Sequence, residues 1–220
     1  MTFNHDRFVF KHPFSMMVIG STSSGKSQFV RSFLTEFKIH TSYNSSVPLK
    51  CLWCYAMPES LRAVPGLDVI TQQGIPSEET LRDLRVNIVV LDDLANEISM
   101  DKTASNLFTR ISHHLNVTFI FNTQHAFTKG LNLISNNCHV FVFMKSPRSL
   151  QQLDSFVRQT SLNRNKVRDA YIKATEQPFS YLLCDLSPHS EDQLRVRSRI
   201  LSSELPDNLK SYGSVPIIWM

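Results

Sequence analysis

The sequence contains no apolar run near the about 18 consecutive residues that a membrane-spanning helix needs, and its first residues hold no apolar signal region. A soluble, intracellular protein with no membrane partner is the expectation. Cysteine is scarce, with four in 220 residues, whereas small oxidised secreted domains are much richer in it, so a reducing compartment fits. Cys51 and Cys54 do form a C-x-x-C, but no second such pair and no Cys and His at ligand spacing accompany them. They sit in an apolar and aromatic run, residues 50–56, that reads as a buried strand rather than a zinc or redox site. Strong charge of one sign is missing too: a net +4 permits a polyanionic partner without demanding one. Internal repeats and low-complexity linkers are absent. The chain is therefore expected to be one domain over residues 1–220, with 1–13 a lead-in and 203–220 an apolar tail that docks on the domain or on a neighbouring subunit.

What charge there is falls unevenly. Arg158, Arg164, Lys166, Arg168 and Lys173 gather in one stretch opposed by Asp169, and Arg195, Arg197 and Arg199 follow. Such a stretch is either a solvated helix face or a phosphate-binding one. Short apolar runs alternate with helical stripes, the mark of an α/β protein with a mainly parallel central sheet flanked by helices. The runs 14–19, 50–56, 86–91, 117–122, 139–144 and 180–185 read as strands, several of them continuously apolar as central parallel strands are. Phe29, Val30, Phe33, Leu34 and Phe37 recur at helical spacing, as do Leu107, Phe108, Ile111 and Leu115, and Val167, Ala170, Tyr171 and Ala174. The segments 41–48, 72–77 and 186–192 read as loops.

The sharpest motif is Gly20-Ser21-Thr22-Ser23-Ser24-Gly25-Lys26-Ser27, a complete G-x-x-x-x-G-K-[ST] between an expected strand and an expected helix. Gly20 and Gly25 let the backbone wrap closely round phosphate oxygens, and free amides at the helix start offer donors and a favourable dipole. Lys26 is the candidate for the β- and γ-phosphates of ATP, and Ser27 supplies a hydroxyl for Mg2+.

Asn87-Ile88-Val89-Val90-Leu91-Asp92-Asp93 then delivers two carboxylates at the end of an apolar strand, a Walker B pattern. Asp92 is the metal ligand and Asp93 the general base that polarises the attacking water, with Glu97 in reserve; alternatively Asp93 only caps the next helix. The strand 117–122 turns polar at Asn122-Thr123-Gln124-His125. In sheets of this class that strand lies between the phosphate-loop and Walker B strands, which makes Gln124, ahead of Asn122, the candidate sensor of the γ-phosphate. His113 and His114 are adjacent, hence about 100° apart on a helix, and do not readily share one ion.

With these features in place the chain resembles the FtsK/HerA superfamily, and within it the small DNA-packaging ATPases of double-jelly-roll viruses and Maverick/Polinton elements. The resemblance rests on residues 20–27, on Leu91-Asp92-Asp93-Leu94, on Leu107-Phe108-Thr109-Arg110-Ile111-Ser112-His113-His114, on Thr123-Gln124-His125-Ala126-Phe127, and on 178–185 with 194–197. It implies a homo-oligomeric ring, pentameric or hexameric, that couples ATP hydrolysis to sequence-independent threading of double-stranded DNA into a viral capsid. It also implies action in the host nucleus or virus factory, with transient residence at a capsid vertex. An arginine reaching a neighbour's nucleotide is expected, and Arg148, then Arg110, falls in a matching segment. Asp93 stands where many cellular members carry Glu, so the water must sit closer or be bridged.

Two other functions compete. A cellular-type DNA translocase or helicase-related ATPase shares the nucleotide chemistry. A P-loop small-molecule kinase is the other, but it leaves Asp93 and Gln124 without a water to activate.

Overall fold

The computed structural model describes residues 8–44, 46–57, 64–101, 108, 114–204 and 217–219. In chain order the elements are β1 (Ser15–Ile19), α1 (Lys26–Thr35), α2 (Phe37–His40), β2 (Lys50–Tyr55), β3 (Asp68–Gln73), α3 (Glu78–Leu84), β4 (Ile88–Asp92), α4 (Ala95–Met100) and β5 (Thr118–Thr123). There follow α5 (Asn132–Asn136), β6 (Val140–Met144), α6 (Ser149–Val157), α7 (Arg164–Ala174), β7 (Tyr181–Asp185), β8 (Val196–Ser198) and β9 (Ile217–Ile218). All the strands join one nine-stranded sheet of order β3-β2-β4-β5-β1-β6-β7-β8-β9. From β3 to β6 every pairing is parallel; β7, β8 and β9 add antiparallel strands at one edge.

The central strands are apolar at nearly every position because both of their faces are covered. Alternation divides their side chains between two cores. Met17, Ile19, Val89, Leu91, Phe119, Phe121, Phe141 and Phe143 belong to one, and Met16, Val18, Ile88, Val90, Ile120, Val140, Val142 and Met144 to the other. The first core is roofed by α6 through Leu153, Phe156 and Val157, and by α7 through Val167, Ala170 and Tyr171. The second is roofed by α1 and α2, whose Phe33 and Phe37 pack on Phe10 and Phe14 and whose Phe29 stacks on Phe33. The helical stripe 29–37 is split: α1 ends at Thr35 and the short α2 starts at Phe37, yet both bury the same aromatic row.

Each strand expected from the sequence is present, its ends within two residues of the apolar run. Three strands lie outside the expected set: β3, β8 and β9. The edge strand β3 is half exposed, and its Gln72 and Gln73, expected in a loop, pair with Cys54 and Tyr55. Polar residues are tolerated there because only one side of an edge strand is paired. β8 falls inside the arginine cluster, and this corrects its expected character. Arg197 is fully buried, its guanidinium 2.7 Å from Asp185 and 5.0 Å above the Phe10 ring. Arg195 is held by Asp192 and the carbonyls of Asp185 and Ser187. These two arginines brace the sheet edge instead of facing solvent. β9 pairs with β8, and the Trp219 indole donates to Ser198 Oγ at 2.9 Å, so this part of the tail docks on its own chain.

Candidate functional site

The site is built where β1, β4 and β5 end side by side. β1 stops at Ile19, and Gly20 N–H donates to the Thr123 carbonyl of β5 at 3.2 Å. A Cβ on Gly20 would lie 2.5 Å from Ser24 Oγ and 2.9 Å from Met144 Cβ, so only glycine fits. The loop then turns tightly, with Ser24 N–H on the Ser21 carbonyl (3.2 Å), Ser23 at φ 62° and Gly25 at φ 96°. Gly25 caps α1 without any side-chain hydrogen bond, and no acidic residue occupies the first turn. The α1 amides and dipole therefore face the loop unopposed, which suits an anion. Ser24 Oγ is buried there with no partner.

Lys26 folds back into this loop. Its Nζ donates to the carbonyls of Gly20 (2.9 Å) and Ser21 (3.2 Å), and the residue is buried. Burial pushes its pKa down, against the upward pull of Asp93 and Asp92. A negatively charged ligand would relieve the same burial cost.

Asp92 closes β4 and is buried. Three donors converge on its carboxylate: Asn122 Nδ2 at 3.0 Å on Oδ1, Trp53 Nε1 at 3.3 Å on Oδ2, and Ser27 Oγ at 3.4 Å from both oxygens. Burial raises the Asp92 pKa, the Asn122 hydrogen bond draws it back, nearby Asp93 raises it further, and Trp53 and Lys26 lower it. The Ser27 and Asp92 oxygens fit a hard divalent cation, because neighbouring positions in an octahedron of about 2.1 Å radius lie about 3 Å apart. When bound, such an ion would neutralise phosphate charge at this spot. Asp93 is exposed and held at φ 55°, with its N–H on the Asn122 carbonyl at 3.1 Å. This left-handed turn sends the chain from β4 into α4, where Glu97 is also exposed.

The polar end of β5 divides between two environments. Asn122 is buried against Asp92, its register partner on β4, while Gln124 lies just beyond the strand and is exposed. Of the two candidate sensors, the one ranked second makes the contact to the acid. Arg148 is exposed at the start of α6, and its N–H donates to Ser146 Oγ at 3.4 Å. Its loop follows β6, whose Met144 abuts Gly20. Arg110 and His113 lie outside the described residues; His114 is exposed. Cys51 and Cys54 are buried in different cores on opposite faces of β2, with the Cys54 thiol pushed up to about 12 by burial.

Trp53 has no motif to announce it. Its position follows from register alone: Trp53 pairs with Val90, two residues below Asp92 on the same face, a diagonal within reach of an indole.

A phosphate loop on β1 and an acid ending β4, with β5 between them, define the P-loop NTPase fold. Neither the protein-family models nor the curated proteins give a match to the sequence. Among solved structures the chain is similar to the genome packaging NTPase B204 from Sulfolobus turreted icosahedral virus 2 in complex with ATP-gammaS: TM-score 0.54, 11% identity, 79% of this chain and 92% of that one. The AMPPCP complex of B204 gives TM-score 0.51 at 10% identity, over 79% and 93%. At such identity the likeness shows the fold, an α/β P-loop NTPase with a mostly parallel sheet.

Proposed function

We propose that this chain is an ATPase that drives double-stranded DNA into a viral or transposon capsid, acting as a homo-oligomeric ring of the FtsK/HerA type. The observation that carries the reading is the convergence of Lys26, Ser27, Asp92 and Asp93 at the ends of β1 and β4, on either side of β5. Lys26 and the α1 amides hold the β- and γ-phosphates of ATP, and Ser27 with Asp92 holds Mg2+. Asp93, exposed beside Asp92, takes the proton of the attacking water. Asn122 fixes the metal-binding carboxylate, and Gln124 stands at the open end of β5 as the γ-phosphate sensor. Arg148 is the candidate arginine that acts on a neighbour's nucleotide.

The genome packaging role named for B204 supports the packaging part, as does the resemblance carried by residues 107–114 and 123–127. For DNA, the usable basic surface is smaller than the sequence implies. Arg164 and Arg168 share Asp154, at 3.3 and 3.7 Å, while Arg158, Lys166 and Lys173 are exposed around α7. Contacts from such residues to phosphates are independent of base sequence, as packaging requires. The test is ATPase activity with and without duplex DNA at low salt, with oligomers verified by sedimentation. Stimulation by DNA of unrelated sequences is expected. A rate indifferent to DNA while oligomers are present removes the coupling and leaves a plain NTPase.

A further inference from the structure

Beside the phosphate loop lies a cavity of about 550 Å3 that the triphosphate chemistry does not use. It opens at Ser23 and Ser24 and runs between the loop after β6 and the turn before β7, walled chiefly by Pro147, Leu150, Ile172 and Phe179. Its size falls within the roughly 300–1,000 Å3 of small-molecule sites. Its wall is mostly apolar, and two of its hydroxyls are engaged within the chain: Tyr171 OH donates to the Met144 carbonyl at 3.1 Å, and Thr175 Oγ1 to the Tyr171 carbonyl at 2.6 Å. The Lys145 ammonium is on the Glu176 carbonyl.

Phe179 is the unusual member. It is 66% exposed, yet it leans on the phosphate loop so closely that a Cβ on Gly25 would lie 3.1 Å from its Cδ1. Its φ is 63°, a left-handed conformation that disfavours a bulky side chain. It follows Pro178 in a turn closed by Ser180 N–H on the Gln177 carbonyl (3.4 Å), where Gly or Asn normally supplies such a φ. Strain and an exposed aromatic ring at one position point to use by a ligand. Ile172, 53% exposed on the same cavity, is likewise uncovered by the chain.

We infer that this cavity seats the purine base of the bound nucleotide, with the base stacked on Phe179. The occupant follows from continuity: a ligand anchored by its phosphates on the loop of Ser23 and Ser24 delivers its remaining half to the adjoining space. A purine is flat, aromatic and poorly hydrated on its faces, which matches an apolar wall with one free ring. Because Tyr171 OH and Thr175 Oγ1 are engaged within the chain and Ser24 Oγ lies at the phosphate-loop end, the seat reads the π-face of the base more than its edge. Adenine and guanine are then held with affinities within about tenfold of each other.

The inference rests on the phosphate-loop reading, and the experiment separates the two. Dissociation constants are measured by calorimetry in Mg2+ for ATP-gammaS, GTP-gammaS and inorganic tripolyphosphate, on the wild type, Phe179→Ala and Phe179→Trp. Phe179→Ala is expected to weaken both nucleotides by about tenfold to a hundredfold, the worth of one stacked base, and to leave tripolyphosphate unchanged. Phe179→Trp keeps nucleotide affinity. Unchanged nucleotide binding in Phe179→Ala overturns the base seat, as does an equal loss of tripolyphosphate, which would make Phe179 a prop for the loop. A change only in sedimentation would assign the cavity to a second copy of the chain and also overturn it. A wild type that binds tripolyphosphate as tightly as ATP-gammaS overturns the seat while the phosphate site stands; one that binds neither removes both.

Discussion

Trp53 donates its indole N–H to Asp92 Oδ2 across 3.3 Å from the neighbouring strand β2, while Asn122 on the other flank holds Oδ1 at 3.0 Å. The carboxylate is thus clamped from both sides before any cation arrives, and Ser27 stands ready to share that cation. A preorganised acid does not spend binding energy on finding its rotamer.

Trp53→Phe keeps the ring and removes only the donor. A hydrogen bond to a charged group contributes about 1.5–3 kcal/mol, so the apparent Mg2+ affinity should fall roughly tenfold or more. A Mg2+ titration of ATPase activity, read beside a thermal melt, checks this. Normal Mg2+ dependence in a stable variant would show that Asn122 alone positions Asp92.

Lys26→Ala and Asp93→Asn divide binding from chemistry. Removing the Lys26 ammonium should abolish nucleotide binding, since the loop then lacks the cation buried in it. Asp93→Asn should bind ATP-gammaS as the wild type does and lose hydrolysis by about two to four orders of magnitude, the usual worth of a general base. Single-turnover kinetics with separate binding isotherms resolve the pair. If Asp93→Asn turns over normally, the base is elsewhere, with Glu97 next in line.

Gly20→Ala tests the closeness of the loop to β6. Ser24 Oγ can rotate away from the added methyl, but Met144 Cβ, 2.9 Å away, cannot. The loop must shift, and nucleotide affinity should drop by about tenfold or more while the melting temperature changes little. Gly20→Ala with Ser24→Ala should recover only part of the loss; complete recovery would locate the whole clash at Ser24.

Much of this was legible in the chain because the central sheet is covered on both faces, so its strands appear as unbroken apolar runs and the motifs sit at their ends. β3 escaped because an edge strand needs no apolar face, and β8 because it is three residues long with a buried arginine at its centre. A charge pattern also cannot distinguish Arg197, whose partner Asp185 lies on the adjoining strand, from a solvated arginine. In the site, Gly20, Lys26, Ser27 and Asp92 follow from residue type at fixed spacing. Trp53 and Phe179 do not, since one depends on strand register and the other on a backbone angle. The sequence likewise does not show that Asn122 lies inside β5 opposite Asp92 while Gln124 falls just beyond the strand end.

Arg197 and Asp185 form a buried pair, and the Arg197 Nε has no partner. Breaking such a pair leaves a lone buried charge, so Arg197→Met should cost about 3–5 kcal/mol, while Arg197→Met with Asp185→Leu should regain most of it. Chemical denaturation gives both values. A mild Arg197→Met, below about 1 kcal/mol, would mean that water reaches this edge of the sheet.

The last prediction concerns pH. Burial by itself would raise the Glu36 carboxyl, but His40 and the Ser202 N–H and hydroxyl, all on Oε2 at 2.7–2.9 Å, leave it below its ordinary value near 4.5. A carboxyl lowered by folding contributes stability that is complete above the unfolded value and is lost as pH falls through the folded one. Wild-type stability from this group should therefore be flat from pH 7 to about 4.5 and decline below that. Ser202 follows Ile200 and Leu201, which pack into the core beneath α1, so the loosening should begin there. Glu36→Gln should remove this share of the acid slope and lower stability at pH 7 by a similar amount. Urea melts across pH 3 to 7 on both proteins provide the comparison. An acid slope unchanged by the substitution would place the titrating group elsewhere, with Glu204, raised by its own burial, contributing in the opposite direction.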